Sequence, residues 1–122
     1  MSQTTSGITG ERGEALAAEH LARGGYVVLA RNWHTRGGEI DIIARSLDGI
    51  IVFVEVKTRR AAEADPLESI TARKRRLLIG AAQVYLSQNR LTDAQWRIDV
   101  IAVTFAPRQP PQIEHYQDAF DW

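Results

Sequence analysis

Residues Arg36–Arg60 read RGGEIDIIARSLDGIIVFVEVKTRR, and how this stretch pairs with itself decides the fold. Two runs rich in β-branched residues, Glu39–Arg45 and Ile50–Thr58, flank Asp48-Gly49, a strong short-range hairpin signal. Into these apolar strands the sequence inserts Glu39, Asp41, Glu55 and Lys57. Charges are costly to bury in such strands, so these read as groups kept for chemistry.

Register decides whether they cooperate, because residues directly opposite one another in an antiparallel pair project from the same face. A two-residue turn at Asp48-Gly49 would pair Asp41 with Val56 and send Asp41 and Glu55 to opposite faces. A three-residue loop, Leu47-Asp48-Gly49, with Gly49 left-handed, sets Asp41 opposite Glu55 and Glu39 opposite Lys57. One face then carries those four charges at one end and Ile43, Phe53 and Ile51 at the other. Ile40, Ile42, Val52, Val54 and Val56 make the second face wholly apolar. The expectation is a sheet buried on both sides with one charged corner.

Opposed carboxylates stand roughly 5 Å apart at Cβ, and their repulsion in a partly buried site reaches several kcal/mol. Lys57 answers one charge. A hard divalent cation answers better, since Mg²⁺ takes oxygen ligands and is typically held by one or two carboxylates plus substrate phosphates. Lys57 could then orient or deprotonate a water, or stabilise the pentavalent phosphorus. The competing reading is an edge hairpin with ordinary solvated charges, because a lone D…ExK match is short and degenerate. The apolar character of both strands favours the first.

Composition narrows the classes. A chain of 122 residues is one domain with room for a core, and 44% hydrophobic with 25% charged residues is ordinary for a globular protein. Without cysteine there are no disulfides and no thiolate zinc sites. There is no charged-then-apolar leader, and the longest aliphatic or aromatic run is the five residues Ile50–Val54, so a cytoplasmic protein is expected. Net charge is zero, yet Lys57–Arg76 holds seven basic residues against three acidic, while Gln109–Trp122 holds three acidic and no Lys or Arg. A neutral total therefore conceals a basic face.

Working outward, residues 1–8 are expected to form a flexible terminus. Thr9 is a plausible N-cap for a helix over Glu11–Arg23, stopped by Gly24-Gly25, with Glu14 in its first turns where it suits the helix dipole. Tyr26–Trp33 reads as a strand and His34–Gly38 as a turn carrying Arg36 towards the charged end of the hairpin. Ala61–Glu68 reads as a loop. Thr71–Gln88 reads as a helix with Leu77, Leu78, Ala81, Ala82, Tyr85 and Leu86 as its apolar stripe. Its first turns hold Arg73-Lys74-Arg75-Arg76, the wrong sign for the dipole; either an anion binds there or the run is simply solvated. Gln95–Phe105 is another strand, with Asp99 interrupting its apolar run, a lesser candidate for the charged corner beside the favoured reading as a structural hydrogen-bonding group, and Gln112–Tyr116 an edge strand. The order is αβββαβ(β), an α/β fold with a mixed β-sheet flanked by helices.

At this point the residues carry a family likeness. Gly10–Trp33 (GERGEALAAEHLARGGYVVLARNW), Gly37–Ala44 (GGEIDIIA), Phe53–Arg59 (FVEVKTR) and Trp96–Val103 (WRIDVIAV) together resemble the small bacterial YraN-like proteins. Those are similar in turn to archaeal Holliday-junction resolvases of the PD-(D/E)xK nuclease superfamily. The likeness spans residues 9–120 and implies a restriction-endonuclease-like domain over 9–122 that cleaves phosphodiesters with Mg²⁺ or Mn²⁺. Carried onto this chain, it implies Asp41 and Glu55 as metal ligands and the Val56 carbonyl as a further one. Lys57 becomes the catalytic lysine, and Glu14 the acid that approaches the metal through water. Ile40 stands where the literal motif has proline, and position 87 is Ser87, so Gln83 is given no role.

The expected function is a Mg²⁺-dependent endonuclease acting on branched or structured DNA, with Arg36, Arg59, Arg60, Arg73 and Lys74 holding the backbone and a homodimer suggested by the resolvase likeness. The alternative is a non-catalytic nucleic-acid- or protein-binding module on the same fold.

Overall fold

Gly49 has φ of 83°, its N–H donates to the Ser46 carbonyl at 2.9 Å, and the Ser46 N–H donates to the Ile50 carbonyl at 2.9 Å. The connection is therefore the odd loop Leu47–Gly49, closed by a left-handed glycine as such loops favour. Around it, the computed structural model describes residues 5–60 and 66–120. Helix α1 (Thr5–Arg23) leads into strands β1 (Val27–Thr35), β2 (Gly38–Arg45) and β3 (Ile51–Arg60). A 3-10 turn at Pro66–Ser69 precedes helix α2 (Ala72–Gln88), then β4 (Trp96–Phe105) and β5 (Gln112–Tyr116). The five strands lie in the order β1-β2-β3-β4-β5. All neighbours are antiparallel except β3 and β4, which α2 joins as a parallel crossover. This is the expected α/β order, with the last strand formed.

Each helix buries one face of the sheet. Ala17 and Leu21 of α1 pack with Ile42, Ala44, Val52, Val54, Ile101 and Val103. Leu78, Ala81, Ala82, Tyr85 and Leu86 of α2 pack with Ile43, Phe53, Ile98, Val100 and Phe120. Burial on both faces is why β3 and β4 read as nearly continuous apolar runs. Among the described residues, no helix is long and apolar enough to cross a membrane.

Several boundaries differ from expectation. Residues 5–8, expected as loose terminus, are helical, so Thr9 lies inside α1 and not at its cap; nothing in that stretch lacks an N–H, so the helix extends and satisfies more backbone groups. Residues 1–4 and 61–65 lie outside the described residues, so the expected loop over 61–68 is described only from Pro66. Leu77, placed in the apolar stripe of α2, is 37% exposed on the helix shoulder. The cap of α2 is Thr71, whose hydroxyl accepts from the Lys74 N–H at 3.1 Å.

Gly13 marks where α1 comes down onto β3. A Cβ there would lie 2.1 Å from Thr58 Oγ1 and 3.3 Å from Thr58 Cβ, and the β-branched Thr58 cannot rotate out of the way without offering its methyl. Gly80 of α2 is the opposite case, with nothing within 4 Å of an added Cβ.

Asp99 is fully buried and ties α1, β4 and β5 together with the turns at Tyr26 and Asp118. It accepts from Arg97 Nε at 2.9 Å, from the Asp118 N–H at 3.0 Å and from His115 Nε2 at 2.7 Å. His115 Nδ1 is left to accept from His20 Nε2 of α1 at 3.3 Å, and Arg97 donates onward to the Tyr26 hydroxyl at 2.8 Å. Burial pushes the Asp99 carboxyl up, but the donors from His115, Arg97 and Asp118 outweigh it and hold it below the ordinary value of 3.8. Asp99 is thus a structural hydrogen-bonding group, as its place in an apolar run suggested.

Two outcomes follow for chemical denaturation followed by circular dichroism. Gly13→Ala lowers stability by roughly 1–3 kcal/mol despite its better helix propensity, whereas Gly80→Ala raises it by roughly 0.5–1 kcal/mol. Asp99→Asn destabilises by about 3 kcal/mol at neutral pH. A carboxylate held below its unfolded value stabilises above pH 3.8 and loses that contribution as the pH falls through its folded value. The Asp99→Asn deficit should accordingly shrink in acid; one that is constant with pH would contradict this account.

Candidate active site

Strands β2 and β3 stay in register from Arg45↔Ile51 to Ile42↔Val54. The next hydrogen-bonded rung would join Ile40 to Val56, but the Val56 N–H donates instead to Asp41 Oδ2 at 2.8 Å. A side-chain carboxylate has taken the place of a backbone carbonyl, and the strands part. On the other side of β2, Asn32 lies between the pairs Arg31↔Ile42 and Trp33↔Ile40, opposite Asp41, and has φ of 51°. Asn tolerates that left-handed conformation better than most residues. It reverses the alternation on both strands: Ala30 and Trp33, and likewise Ile43 and Ile40, all pack towards α2. Ile40 was expected beside Ile42 on the α1 side and lies on the opposite face for this reason.

The side chains of Asp41 and Glu55 converge at the parting. Glu55 is 5% exposed. Burial first, then the neighbouring Asp41 charge and a hydrogen bond shared with Asp41, push the Glu55 carboxyl up to about 8, against the pull of Lys74 and Lys57. At neutral pH Glu55 therefore keeps its proton, within hydrogen-bonding reach of Asp41. Lys74 Nζ of α2 stands 3.6 Å from Glu55 Oε2, and Lys57 follows two residues after Glu55 on β3, half-buried. In a strand, a residue's N–H and C=O point to the same neighbour, so the Val56 carbonyl is aimed, like its N–H, into the gap beside Asp41.

Glu14 looks into this corner from α1. Burial and the charges of Asp41 and Glu39 raise its carboxyl, while Arg31 and a hydrogen bond with Asn32 pull the other way. It feels the same field but stands back: among the described residues, no three His, Cys, Asp or Glu side chains gather closely enough to hold an ion by themselves. The oxygen donors this corner could offer a cation are Asp41, Glu55 and the Val56 carbonyl. They fit a hard divalent cation, because a carboxyl pair that must borrow a proton is short of positive charge and offers only oxygen. Asn32 went unnoticed in the sequence, although an asparagine inside a strand, where that residue is depleted, was a usable signal.

The remaining charges divide. Glu39, expected opposite Lys57, is engaged on the β1 side, with its carboxylate 3.2 Å from His34 Nδ1. Arg59 donates to Thr104 Oγ1 at 2.9 Å and to Glu114 Oε1 at 3.1 Å, so its charge is already partly answered within the fold. Arg60 is exposed at the end of β3, and Arg36 at the turn between β1 and β2. Helical spacing splits the basic run of α2: Lys74 turns to Glu55, Arg75 lies over the Phe120 ring at 5.2 Å, and Arg73 and Arg76 face solvent.

Residues 13–103 match the model of uncharacterised protein family UPF0102. The chain belongs to that family. A UPF0102 protein of Trichlorobacter lovleyi is 45% identical over 113 residues, covering 92% of this chain and 89% of the relative. One from Roseiflexus castenholzii is 49% identical over 109 residues, covering 87% of each. Family membership agrees with the YraN-like resemblance. Among solved structures, a repair endonuclease from Pyrococcus abyssi matches 88% of this chain at 13% identity and a TM-score of 0.47. An EndoMS–double-stranded DNA complex matches 72% at 20% identity and a TM-score of 0.41. The chain spans only 41% and 34% of those two chains.

Because folding raises the Glu55 value from 4.5 to about 8, the protonated carboxyl favours the folded state, and that contribution fades as pH rises from 4.5 towards 8. Glu55→Gln, neutral at every pH, should match the metal-free protein near pH 4.5 and exceed its stability by on the order of 2–4 kcal/mol at pH 8. Denaturant melts across this range check it; a stability gap that does not grow with pH would refute the shared proton.

Proposed function

We propose that this UPF0102 protein is a Mg²⁺- or Mn²⁺-dependent endonuclease on a restriction-endonuclease-like fold, hydrolysing DNA phosphodiesters in branched or structured substrates. What supports the reading is a carboxyl pair, Glu55 buried and Asp41 half-buried, in which burial and mutual repulsion raise Glu55, with two lysines at its edge. A fold maintains such a pair at a cost in stability, and active sites are where that cost is found.

In this reading, Asp41, Glu55 and the Val56 carbonyl would hold the cation. When bound, the ion supplies charge that polarises a phosphoryl oxygen and lowers the pKa of a water it holds. Asp41 keeps one oxygen on the Val56 N–H, which fixes the direction of the other. Glu55 gives up its proton on binding. Lys57 orients or deprotonates the attacking water, or balances charge at the pentavalent phosphorus. Glu14, standing back on α1 beside Asn32, orders solvent on the open side. Hydrolysis joins the water oxygen to phosphorus and breaks one ester bond, leaving a phosphate monoester and a sugar hydroxyl. Arg73 and Arg36 are exposed cations that the strand would meet, Arg60 stands exposed at the end of β3, and Lys74 would turn to phosphate once Glu55 is engaged elsewhere.

A non-catalytic module would show neither carboxylate-dependent metal uptake nor turnover. Calorimetry with Mn²⁺ at neutral pH should show uptake coupled to release of about one proton, lost in both Asp41→Asn and Glu55→Gln. On four-way-junction, flapped, single-stranded and linear DNA, Lys57→Ala should keep the uptake and lose roughly 10²–10⁴-fold in cleavage rate. Cleavage undiminished in Asp41→Asn would place the activity elsewhere.

A further inference from the structure

One turn beyond Lys74 on α2 an open groove of about 490 Å³ begins, in the size range of sites that receive small organic groups. Its floor is the shoulder of the helix, formed by Leu77, Gly80, Ala81 and Val84, with Leu77 and Val84 each more than a third exposed. Gly80 leaves the helix backbone bare, with nothing within 4 Å of where a Cβ would stand. The opposite wall is the turn between β1 and β2, which Gly38 allows to settle onto α2: a Cβ there would come within 3.3 Å of the Leu77 carbonyl oxygen. Arg36 on the turn and Arg76 on the helix line the groove. Neither forms a salt bridge with a described residue, and Arg73 faces solvent one turn before. An apolar floor between unanswered guanidinium groups complements a flat apolar ring on an anionic backbone.

We infer that this groove receives an unpaired nucleotide of the substrate strand, so that the preferred substrate is single-stranded or frayed beside the cleaved phosphate. This rests on the nuclease reading and deepens it. From Lys74, which reaches Glu55, to Gly80 is roughly 10 Å along the helix, about three nucleotides of a strand at duplex spacing. A base inside a duplex shows only its edges and cannot lie face-down on Leu77 and Val84 without first being unstacked from its neighbours. An unpaired base brings its face without that cost, and its phosphates meet the arginines.

The Glu55→Gln protein, which should bind without cutting, separates recognition from chemistry. In fluorescence anisotropy it should bind a duplex with a short single-stranded tail about tenfold more tightly than a blunt duplex of equal length. Adding Gly80→Leu, which fills the groove in a helix with room for it, should abolish that preference and leave blunt-duplex affinity unchanged, with the helical circular dichroism intact. Equal affinity for the two DNAs, or a preference that survives Gly80→Leu, overturns the groove assignment while leaving cleavage by the wild type untouched. Sedimentation showing self-association that Gly80→Leu removes would give the groove to a second copy of the chain and overturn it likewise. Failure of the wild type to cut any DNA, together with failure of Glu55→Gln to bind any, would sink the nuclease reading itself.

Discussion

Everything distinctive about this molecule depends on where the β2–β3 ladder stops. One hydrogen bond, from the Val56 N–H to Asp41 Oδ2 at 2.8 Å, replaces the rung that a regular hairpin would make. A regular rung would leave Asp41 on a flat sheet surface with its carboxylate turned to solvent or to α2. The substitution instead draws the carboxylate into the plane of the sheet, next to Glu55, and opens the Val56 carbonyl to whatever occupies the gap. The energy that holds this irregular corner comes from elsewhere. Phe53, Ile43, Val54 and Ile42, all fully buried, fix β2 and β3 from both faces immediately behind it. With roughly 1.5–3 kcal/mol for each fully buried large side chain, those four can sustain a strained and under-compensated site next door.

The parallel crossover then decides which cations arrive. Because β4 runs parallel to β3, the chain must return across the sheet face, and α2 is that return. Its N-terminal turns fall over the end of β3 that carries Glu55, which is how Lys74 reaches the carboxyl pair while Arg73 and Arg76 remain outside. The basic run thus avoids acting as a single patch. Tilted round the helix, it supplies one charge to the site, one to the Phe120 ring and two to solvent, so a chain of zero net charge still presents a directional positive edge.

Much of this was legible in the sequence because it follows from parity. Gly49 in an odd loop fixes the register, and that register brings Asp41 to the same end and face as Glu55, where the break in the ladder completes their approach; α2, β4 and β5 follow from periodicity to within a residue. What could not be read was non-local or a local break in parity. The face of Ile40 and the engagement of Glu39 by His34 both turn on the left-handed Asn32, one residue on a neighbouring strand. The helical start at Thr5 was hidden by a small, polar composition that also suits a loose terminus. The Asp99 cluster assembles His20, Tyr26, Arg97 and His115 from separate elements, and no spacing in the sequence announces it.

The two buried carboxylates of the central strands separate structural from chemical acids more sharply than any motif. Glu55 and Asp99 sit one rung apart, since Val54 pairs with Asp99 and Glu55 with Val100, and they project to opposite faces. Desolvation pushes both upward. Asp99 meets four donor atoms from three residues on its two oxygens and ends below its ordinary value, because each lone pair that water would have served is served by the fold. Glu55 meets another carboxyl and a lysine at 3.6 Å, and ends far above. The chain evidently has the means to satisfy a buried acid, and uses them one residue away. Leaving Glu55 short is therefore a property of its position and not a limit of the fold, and it is the feature of this corner that the proposed cation would answer.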